Sequence, residues 1–173
     1  MKPLYGTELK RFLRDYRRDR PPRRQLAAVL QSVEYPYNVG SIFRLAEGVG
    51  MAQLILTGIT PTPPHPTITK LGRSKDRRVP WRYESDAVEA ITGLKQQGFR
   101  VIAIELTAAA SPYHAVDYPS HVAMVVGHED HGVTKATLQA CDQAVFIPMY
   151  GKGLSLNVHT ALAVVSYHIA HAS

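Results

Sequence analysis

The feature that most constrains the fold of this chain is a regular alternation of short apolar runs with helix-like segments. Each run is continuously apolar rather than alternating, as is typical of strands covered on both faces. The candidate strands span residues 26–33, 53–58, 99–106, 121–127 and 144–149. The helix-like segments span residues 39–50, 85–98 (with Ser85 or Asp86 as N-cap), 134–142 and 154–172. This pattern predicts an α/β fold, with a parallel sheet covered by helices on both faces.

Length and composition limit the class of protein. The 173 residues, 45% of them hydrophobic, suffice for one domain with a core. No run is long enough to span a bilayer, and residues 1–11 lack the apolar centre of a signal peptide, so we expect a cytoplasmic protein without membrane contact. Cys141 is the only cysteine and is expected to be a buried thiol. Residues 60–80, rich in Pro and Gly, are expected to form an exposed loop.

Basic residues are concentrated in two segments. Residues 1–24 hold nine Lys or Arg against three acidic residues, a balance of +6 that equals the formal net charge of the chain. Six more lie between residues 70 and 82. Such patches suit a polyanion, and arginine forks match phosphate, although a basic run can also be a merely solvated face. We therefore divide the chain into a basic arm, residues 1–24, and a domain, residues 25–173.

Three segments that follow predicted strands combine glycine with polar residues. Ligands of such sheets bind beyond the carboxyl ends of the strands. The first segment carries Asn38, Gly40 and Arg44, and the second runs from Gly127 through Glu129 to Gly132. The third, residues 147–158, reads IPMYGKGLSLNV. These segments are the first candidates for a functional site.

Each of these residues also has a plain structural interpretation. Asn38 could cap a helix that begins at Val39, and Gly40 could permit close packing. Gly127 and Gly132 could be turn glycines, and Glu129 a solvated loop carboxylate. Ser155 and Asn157 could be alternative N-caps of the last helix. Capping does not explain Arg44. It follows Asn38 by six residues, so it lies on a different face of the helix.

Taken together and in this order, the three segments resemble the motifs of the SpoU (TrmH) branch of the SPOUT superfamily of RNA methyltransferases. The family patterns N-x-G-x-x-x-R, G-x-E-x-x-G and I-P-M-x-G-(x)-S-L-N-V correspond to the segments at residues 38–44, 127–132 and 147–158. The resemblance covers roughly residues 26–170, including VPWRY at residues 79–83 and Glu105. Neither G-x-G-x-x-G nor a G-K-[ST] phosphate loop follows a strand, which disfavours other nucleotide binders.

The resemblance implies a C-terminal trefoil knot, a homodimer and S-adenosylmethionine (AdoMet) as cofactor, with no metal. The reaction would be attack of a ribose 2′-oxygen of tRNA or rRNA on the sulfonium methyl. The implied cofactor-binding residues are Leu106, Thr107, Gly127, Ile147, Met149, Ser155 and Leu156. Gly127 is expected to allow close approach of the ligand, since a Cβ would obstruct it.

The implied catalytic set is Arg44, Asn38, Glu129, Ser155 and Asn157. A guanidinium resists deprotonation, so we expect Arg44 to bind phosphate and stabilise alkoxide charge rather than act as a base. Asn38 would orient Arg44 or the ribose, while Glu129 and Asn157 would connect the motifs. The expected RNA contacts are Arg11, Arg14, Arg17, Arg18, Arg23, Arg24, Arg73, Arg77 and Arg78.

His128 stands where many relatives carry a small residue, and His131 follows it. A catalytic role is conceivable because imidazole titrates near neutral pH. We expect loop histidines that line the pocket.

Two other functions remain open at this point. One is a non-catalytic RNA-binding or assembly factor on the same fold, which AdoMet binding would distinguish. The other keeps the fold but methylates a base nitrogen or another substrate. The complete set of motif residues favours the ribose methyltransferase.

Overall fold

The predicted apolar runs form five strands, and two short strands join them in a seven-stranded sheet in the computed structural model, which describes residues 1–172. The strands are β1 (Gln25–Gln31), β2 (Gln53–Thr57), β3 (Trp81–Glu84), β4 (Arg100–Ile104), β5 (Ser111–Pro112), β6 (His121–Val126) and β7 (Gln143–Phe146). The helices are α1 (Gly6–Asp19), α2 (Pro36–Val49), α3 (Pro66–Leu71), α4 (Ala87–Gln96), α5 (Lys135–Ala140) and α6 (Val158–His171).

The sheet has the order β3-β2-β1-β6-β4-β7-β5, and every pairing is parallel. The predicted parallel sheet is therefore confirmed. Strand β1 lies between β2 and β6, with Val29 in register with Ile55 and Val125. Because β1, β6, β4 and β7 are consecutive neighbours, their carboxyl ends meet at one edge of the sheet. The polar segments that follow these strands are thereby brought together.

Helices cover both faces of the sheet, as predicted. Successive β1 residues point to opposite faces, so Leu30 packs in a core with α2, α3 and α6, whereas Val29 packs in a second core with α4. Phe43 of α2 is fully buried in the first core, and Leu94 of α4 is fully buried in the second. Burial on both faces explains why the strands read as continuous apolar runs.

The expectation of an irregular loop at residues 60–80 is wrong in part. Residues 66–71 form α3, and residues 75–77 form a 3-10 turn. Pro66 starts α3, a position where its missing N–H costs nothing, and the His65 ring accepts a hydrogen bond from the Thr67 N–H at 3.2 Å. Proline here begins a helix, whereas the Pro- and Gly-rich composition predicts an exposed loop.

Other boundaries also differ from the predictions. Helix α2 begins at Pro36 rather than near Val39, and α6 begins at Val158 rather than at residue 154. The basic arm contains α1, in which no residue is buried. The sequence pattern does not predict β3 and β5, because these two edge strands carry no continuous apolar run. Asp86 caps α4 as proposed, accepting hydrogen bonds from Val88 N–H and Glu89 N–H.

Cys141 is partly buried near the end of α5, where its Sγ donates a hydrogen bond to the Thr137 carbonyl at 3.2 Å. Burial raises the pKa of this thiol to about 12. None of the helices within residues 1–172 has the length and apolarity needed to cross a membrane.

Gly40 allows the close approach of α2 and α3, so we expect Gly40→Ala to destabilise the protein. A Cβ at this position would lie 2.9 Å from the Ile68 carbonyl oxygen and 3.1 Å from Ile68 Cα. Because backbone must move to relieve this contact, we expect a loss of about 1–3 kcal/mol in the free energy of unfolding, measured by urea denaturation.

Gly93→Ala is the matched control, since Gly93 lies inside α4 and a Cβ there meets nothing within 4 Å. Alanine favours the helical conformation, so this variant should be stabilised by about 0.5–1 kcal/mol. Equal effects of the two substitutions would contradict the assigned role of Gly40.

Candidate active site

The Glu129 carboxylate connects the segments that follow β1 and β6. Its Oε2 accepts a hydrogen bond from the Glu34 N–H at 2.9 Å, and its Oε1 accepts from the Tyr35 N–H at 3.3 Å. The same Oε1 accepts from Asn38 Nδ2 at 2.6 Å. Glu129 is thus not a solvated loop carboxylate but the acceptor for the start of α2.

These hydrogen bonds set the charge state of Glu129. Burial by itself raises the pKa of the carboxyl, but the bonds from Glu34 N–H, the Asn38 side chain and Tyr35 N–H act in the other direction. The net result is a pKa below the ordinary value of 4.5. The carboxylate is therefore ionised at neutral pH.

Asn38 extends this network to the last helix. It is fully buried within the first turn of α2, so the interpretation of Asn38 as a helix cap is wrong. Its Oδ1 accepts a hydrogen bond from Asn157 Nδ2 at 3.0 Å. Asn157 is the N-cap of α6, and its Oδ1 accepts from His159 N–H at 3.0 Å. Three of the predicted catalytic residues therefore form one chain of hydrogen bonds.

Gly127 and Gly132 are required by the packing of backbone on backbone. A Cβ at Gly127 would lie 2.2 Å from the Gly132 carbonyl carbon and 2.4 Å from Val133 N. Gly132 has a φ of +64°, and a Cβ there would lie 2.4 Å from Glu105 Oε2. That same oxygen accepts the Val133 N–H at 2.9 Å. The missing Cβ at Gly127 thus allows the backbone of Gly132 and Val133 to approach Gly127 closely. The sequence alone does not show this reason for the glycine.

A cavity of about 1030 Å³ opens beside the network at the carboxyl edge of the sheet. All seven residues predicted to bind a cofactor line it, as do Glu129 and Asn157. Several apolar side chains around it face solvent, among them Leu106, which is 67% exposed, and Leu154, which is 91% exposed. Ser155 also lines the cavity. It is not the N-cap of α6, because Asn157 occupies that position.

Arg44 lies elsewhere on α2. It is exposed, does not line the cavity, and makes none of the hydrogen bonds or ion pairs found within residues 1–172. The predicted difference of helix face is confirmed, since Asn38 is fully buried. The structure therefore does not bring Arg44 into contact with the Glu129 network.

His128 has both ring nitrogens engaged. Its Nδ1 accepts a hydrogen bond from Asp130 N–H at 3.1 Å, and its Nε2 lies 3.3 Å from Glu34 Oε2. The network thus assigns the proton of the neutral ring to Nε2, where it points at the Glu34 carboxylate. The His131 ring lies 4.6 Å from that of His128, and both line the cavity. His128 has no free lone pair for proton abstraction, which agrees with a loop histidine.

Most of the predicted RNA contacts are exposed. Arg11, Arg14, Arg17 and Arg18 lie on α1, and Arg23, Arg73, Arg77 and Arg78 are also exposed. Some are paired with carboxylates, as Arg18 is with Asp19 at 2.9 Å and, more loosely, Arg78 with Glu47 at 3.8 Å.

Arg24 differs from these residues because its guanidinium is held by the backbone. Its Nε donates to the Tyr118 carbonyl and its Nη1 to the Ile169 carbonyl, both at 3.1 Å. The side chain is part-buried, and it connects the start of β1 to the end of α6. This placement favours a structural role over an RNA contact.

Sequence reasoning missed Tyr35 and Tyr37, two exposed aromatic residues that line the cavity. The YPY sequence before Asn38 was the available signal. This signal is weak, because aromatic residues are more often part of a core.

Comparison with known proteins identifies a family whose sequence pattern this chain matches. Residues 25–167 match the model of the SpoU rRNA methylase family. A tRNA (guanosine(18)-2'-O)-methyltransferase of Thermus thermophilus is 33% identical over 158 residues, which cover 91% of this chain and 79% of that protein. The 23S rRNA (guanosine-2'-O-)-methyltransferase RlmB of Acinetobacter baylyi is 31% identical over 143 residues, which cover 82% of this chain and 58% of that protein.

A solved structure shares the fold. The SpoU methyltransferase AviRb from Streptomyces viridochromogenes, in complex with AdoMet, superposes with a TM-score of 0.78 at 22% identity. The match covers 88% of this chain and 60% of AviRb.

We expect Glu129→Gln to destabilise the protein in a pH-dependent way. Glutamine offers one oxygen in place of two and turns an N–H₂ toward donors, so we expect a loss of about 1–2 kcal/mol at pH 7, limited by solvent exposure. A carboxyl whose pKa is lowered on folding stabilises above its unfolded pKa, near 4.5, and this contribution is lost as pH falls through the folded pKa.

Urea unfolding of both proteins at pH 7 and at pH 3 measures this effect, and the difference between them should shrink at the lower pH. Asp117→Asn, a change at an exposed loop carboxylate, is the control and should alter stability by less than about 0.5 kcal/mol. A penalty for Glu129→Gln that is independent of pH would rule out the ionised carboxylate as the stabilising form.

Proposed function

Because this chain belongs to the SpoU rRNA methylase family, we propose that it is an AdoMet-dependent RNA methyltransferase that modifies a ribose 2′-hydroxyl of tRNA or rRNA. The observation that carries this proposal is the meeting of three motif segments at one cavity, through the hydrogen bonds from Asn157 to Asn38 and from Asn38 to Glu129. The relatives that act on ribose 2′-hydroxyls include both tRNA and rRNA enzymes.

The cavity fits AdoMet chemically. Apolar side chains such as Leu106, Met149 and Leu156 line the cavity and are partly exposed. They offer an apolar surface that would cover an adenine ring. Glu105, Glu129 and Asp130 give it an acidic lining that suits a positively charged ligand. We assign cofactor binding to Leu106, Thr107, Gly127, Ile147, Met149, Ser155 and Leu156. When bound, AdoMet supplies a methyl group activated by the positive sulfur.

The chain's own residues then have distinct tasks. Arg44, an exposed cation on α2, binds the phosphate beside the target ribose and stabilises negative charge on the 2′-oxygen. Asn38, Glu129 and Asn157 hold the starts of α2 and α6 in place through their hydrogen bonds. Ser155 lies on the cavity wall, where its hydroxyl can contact the ligand.

We also infer a C-terminal trefoil knot, a homodimer and a cytoplasmic location. Strand β7 pairs with both β4 and β5, so the chain re-enters the sheet between two strands already joined by residues 105–110. This strand arrangement supports the knot that the family resemblance implies. Exposed rings such as Tyr150, which is 96% exposed, offer surface that a second copy would cover.

The rival function, a binding-only assembly factor, would have no need for a cavity that the second and third motif segments line and that hydrogen bonds join to Asn38 of the first. The direct test incubates the protein with tRNA and rRNA separately, each with methyl-labelled AdoMet, followed by nucleoside analysis. We expect label in 2′-O-methylnucleosides. Absence of AdoMet binding would favour the assembly factor, and label on a base would favour the base-nitrogen alternative.

Arg44→Lys tests the role of the planar guanidinium. Lysine keeps the charge but loses the forked donors, so we expect single-turnover methyl transfer to slow by at least about tenfold. AdoMet affinity should be unchanged, because Arg44 does not line the cavity. Arg100→Lys, an exposed arginine at the opposite edge of the sheet, is the control. Transfer at the normal rate by Arg44→Lys would contradict this role.

Deletion of residues 1–20 tests the basic arm, which we propose as an RNA-binding element separate from the domain at 25–173. The deletion spares Arg24, whose side chain supports α6. We expect weaker RNA binding with a smaller dependence of affinity on salt, because fewer phosphates are neutralised, and no change in AdoMet binding. The measurement is RNA affinity across a salt series, and an unchanged slope would exclude the arm from the interface.

A further inference from the structure

Tyr35 and Tyr37 form a stacked pair at the mouth of the cavity. Their ring centroids lie 5.4 Å apart and their planes differ by 16°. Tyr35 is 36% exposed and Tyr37 46% exposed, and neither belongs to a hydrophobic core. Each ring has one face toward its neighbour. Two adjacent aromatic rings kept at the surface beside a ligand cavity are available to contact a ligand.

Tyr37 lies on the same side of α2 as Arg44. Tyr37, Ser41 and Arg44 follow the i, i+4, i+7 spacing of one helix face, and Tyr37 and Arg44 are both exposed. Seven residues correspond to about 10 Å along a helix axis. Helix α2 therefore presents an aromatic ring near the cavity and a guanidinium two turns away. This spacing suits one strand of RNA whose phosphate meets Arg44.

The charges around the rings favour a neutral group over a phosphate. Glu34 and Glu129 lie beside Tyr35, and the pKa of Tyr35 is raised, mainly by Asp130 and then by Glu34. The phenol therefore stays protonated and neutral. Acidic neighbours repel phosphate, whereas the face of a nucleobase carries no net charge and stacks well on tyrosine.

We propose that Tyr35 and Tyr37 are a stacking platform for an unpaired nucleobase of the substrate RNA, at or next to the nucleotide that is modified. This inference rests on the proposed function and extends it to the form of the RNA, which must present an unstacked base here. The backbone does not depend on the rings, because Tyr35 contributes only its N–H to Glu129. Side-chain substitutions therefore leave the Glu129 network in place.

The test measures binding of a dye-labelled single-stranded RNA oligonucleotide of mixed sequence, and of the same strand annealed to its complement. We expect Tyr37→Ala and the double variant Tyr35→Ala/Tyr37→Ala to bind the single strand about 5- to 100-fold more weakly. Their affinity for the duplex should be unchanged. Tyr35→Phe/Tyr37→Phe should bind the single strand normally, because phenylalanine keeps the ring.

Tyr167→Ala is the matched control, since Tyr167 is also 46% exposed and stacks on His171, but does not line the cavity. It should bind the single strand like the unsubstituted protein. The proposal is overturned if the alanine variants retain full single-strand affinity, if they lose duplex affinity equally, or if the unsubstituted protein does not bind the single strand. Methyl transfer by the unsubstituted protein reports separately on the proposed function.

Discussion

The structure of the site depends on one partly buried carboxylate, that of Glu129. Its two oxygens accept two backbone N–H groups at the start of α2 and the side chain of Asn38, and so fix the loop after β6 against the loop after β1. Negative charge is favourable at the N-terminus of a helix, which offsets the cost of partial burial. Through Asn38 and Asn157 the same constraint reaches the start of α6.

The sheet was readable from the sequence because burial on both faces gives a continuous apolar run, which does not depend on distant residues. The five predicted strands and their parallel arrangement followed from this. The elements that the sequence did not predict depend on contacts between residues distant in sequence, or are very short. Strand β5 has only two residues, and α3 starts at a proline whose effect depends on its position within the helix.

The site was predictable to the extent that its residues belong to motifs at strand ends. The predicted separation of Asn38 and Arg44 follows from helix geometry and agrees with the structure. The reason for glycine at 127 was not predictable, because it lies in the backbone of Gly132 and Val133, whose approach only the folded loop shows. Tyr35 and Tyr37 have no distinctive spacing, so their exposure becomes evident only when the cavity is known.

The anchoring of Arg24 bears on the size of substrate the molecule can use. The basic arm enters the domain at the amino end of β1, whereas the cavity lies beyond the carboxyl ends of the strands. Strand β1 has seven residues, so these two points are separated by about 23 Å of strand. A free nucleoside cannot reach from one to the other. An RNA that contacts both the cavity and the point where the arm joins the domain must therefore extend over at least this distance.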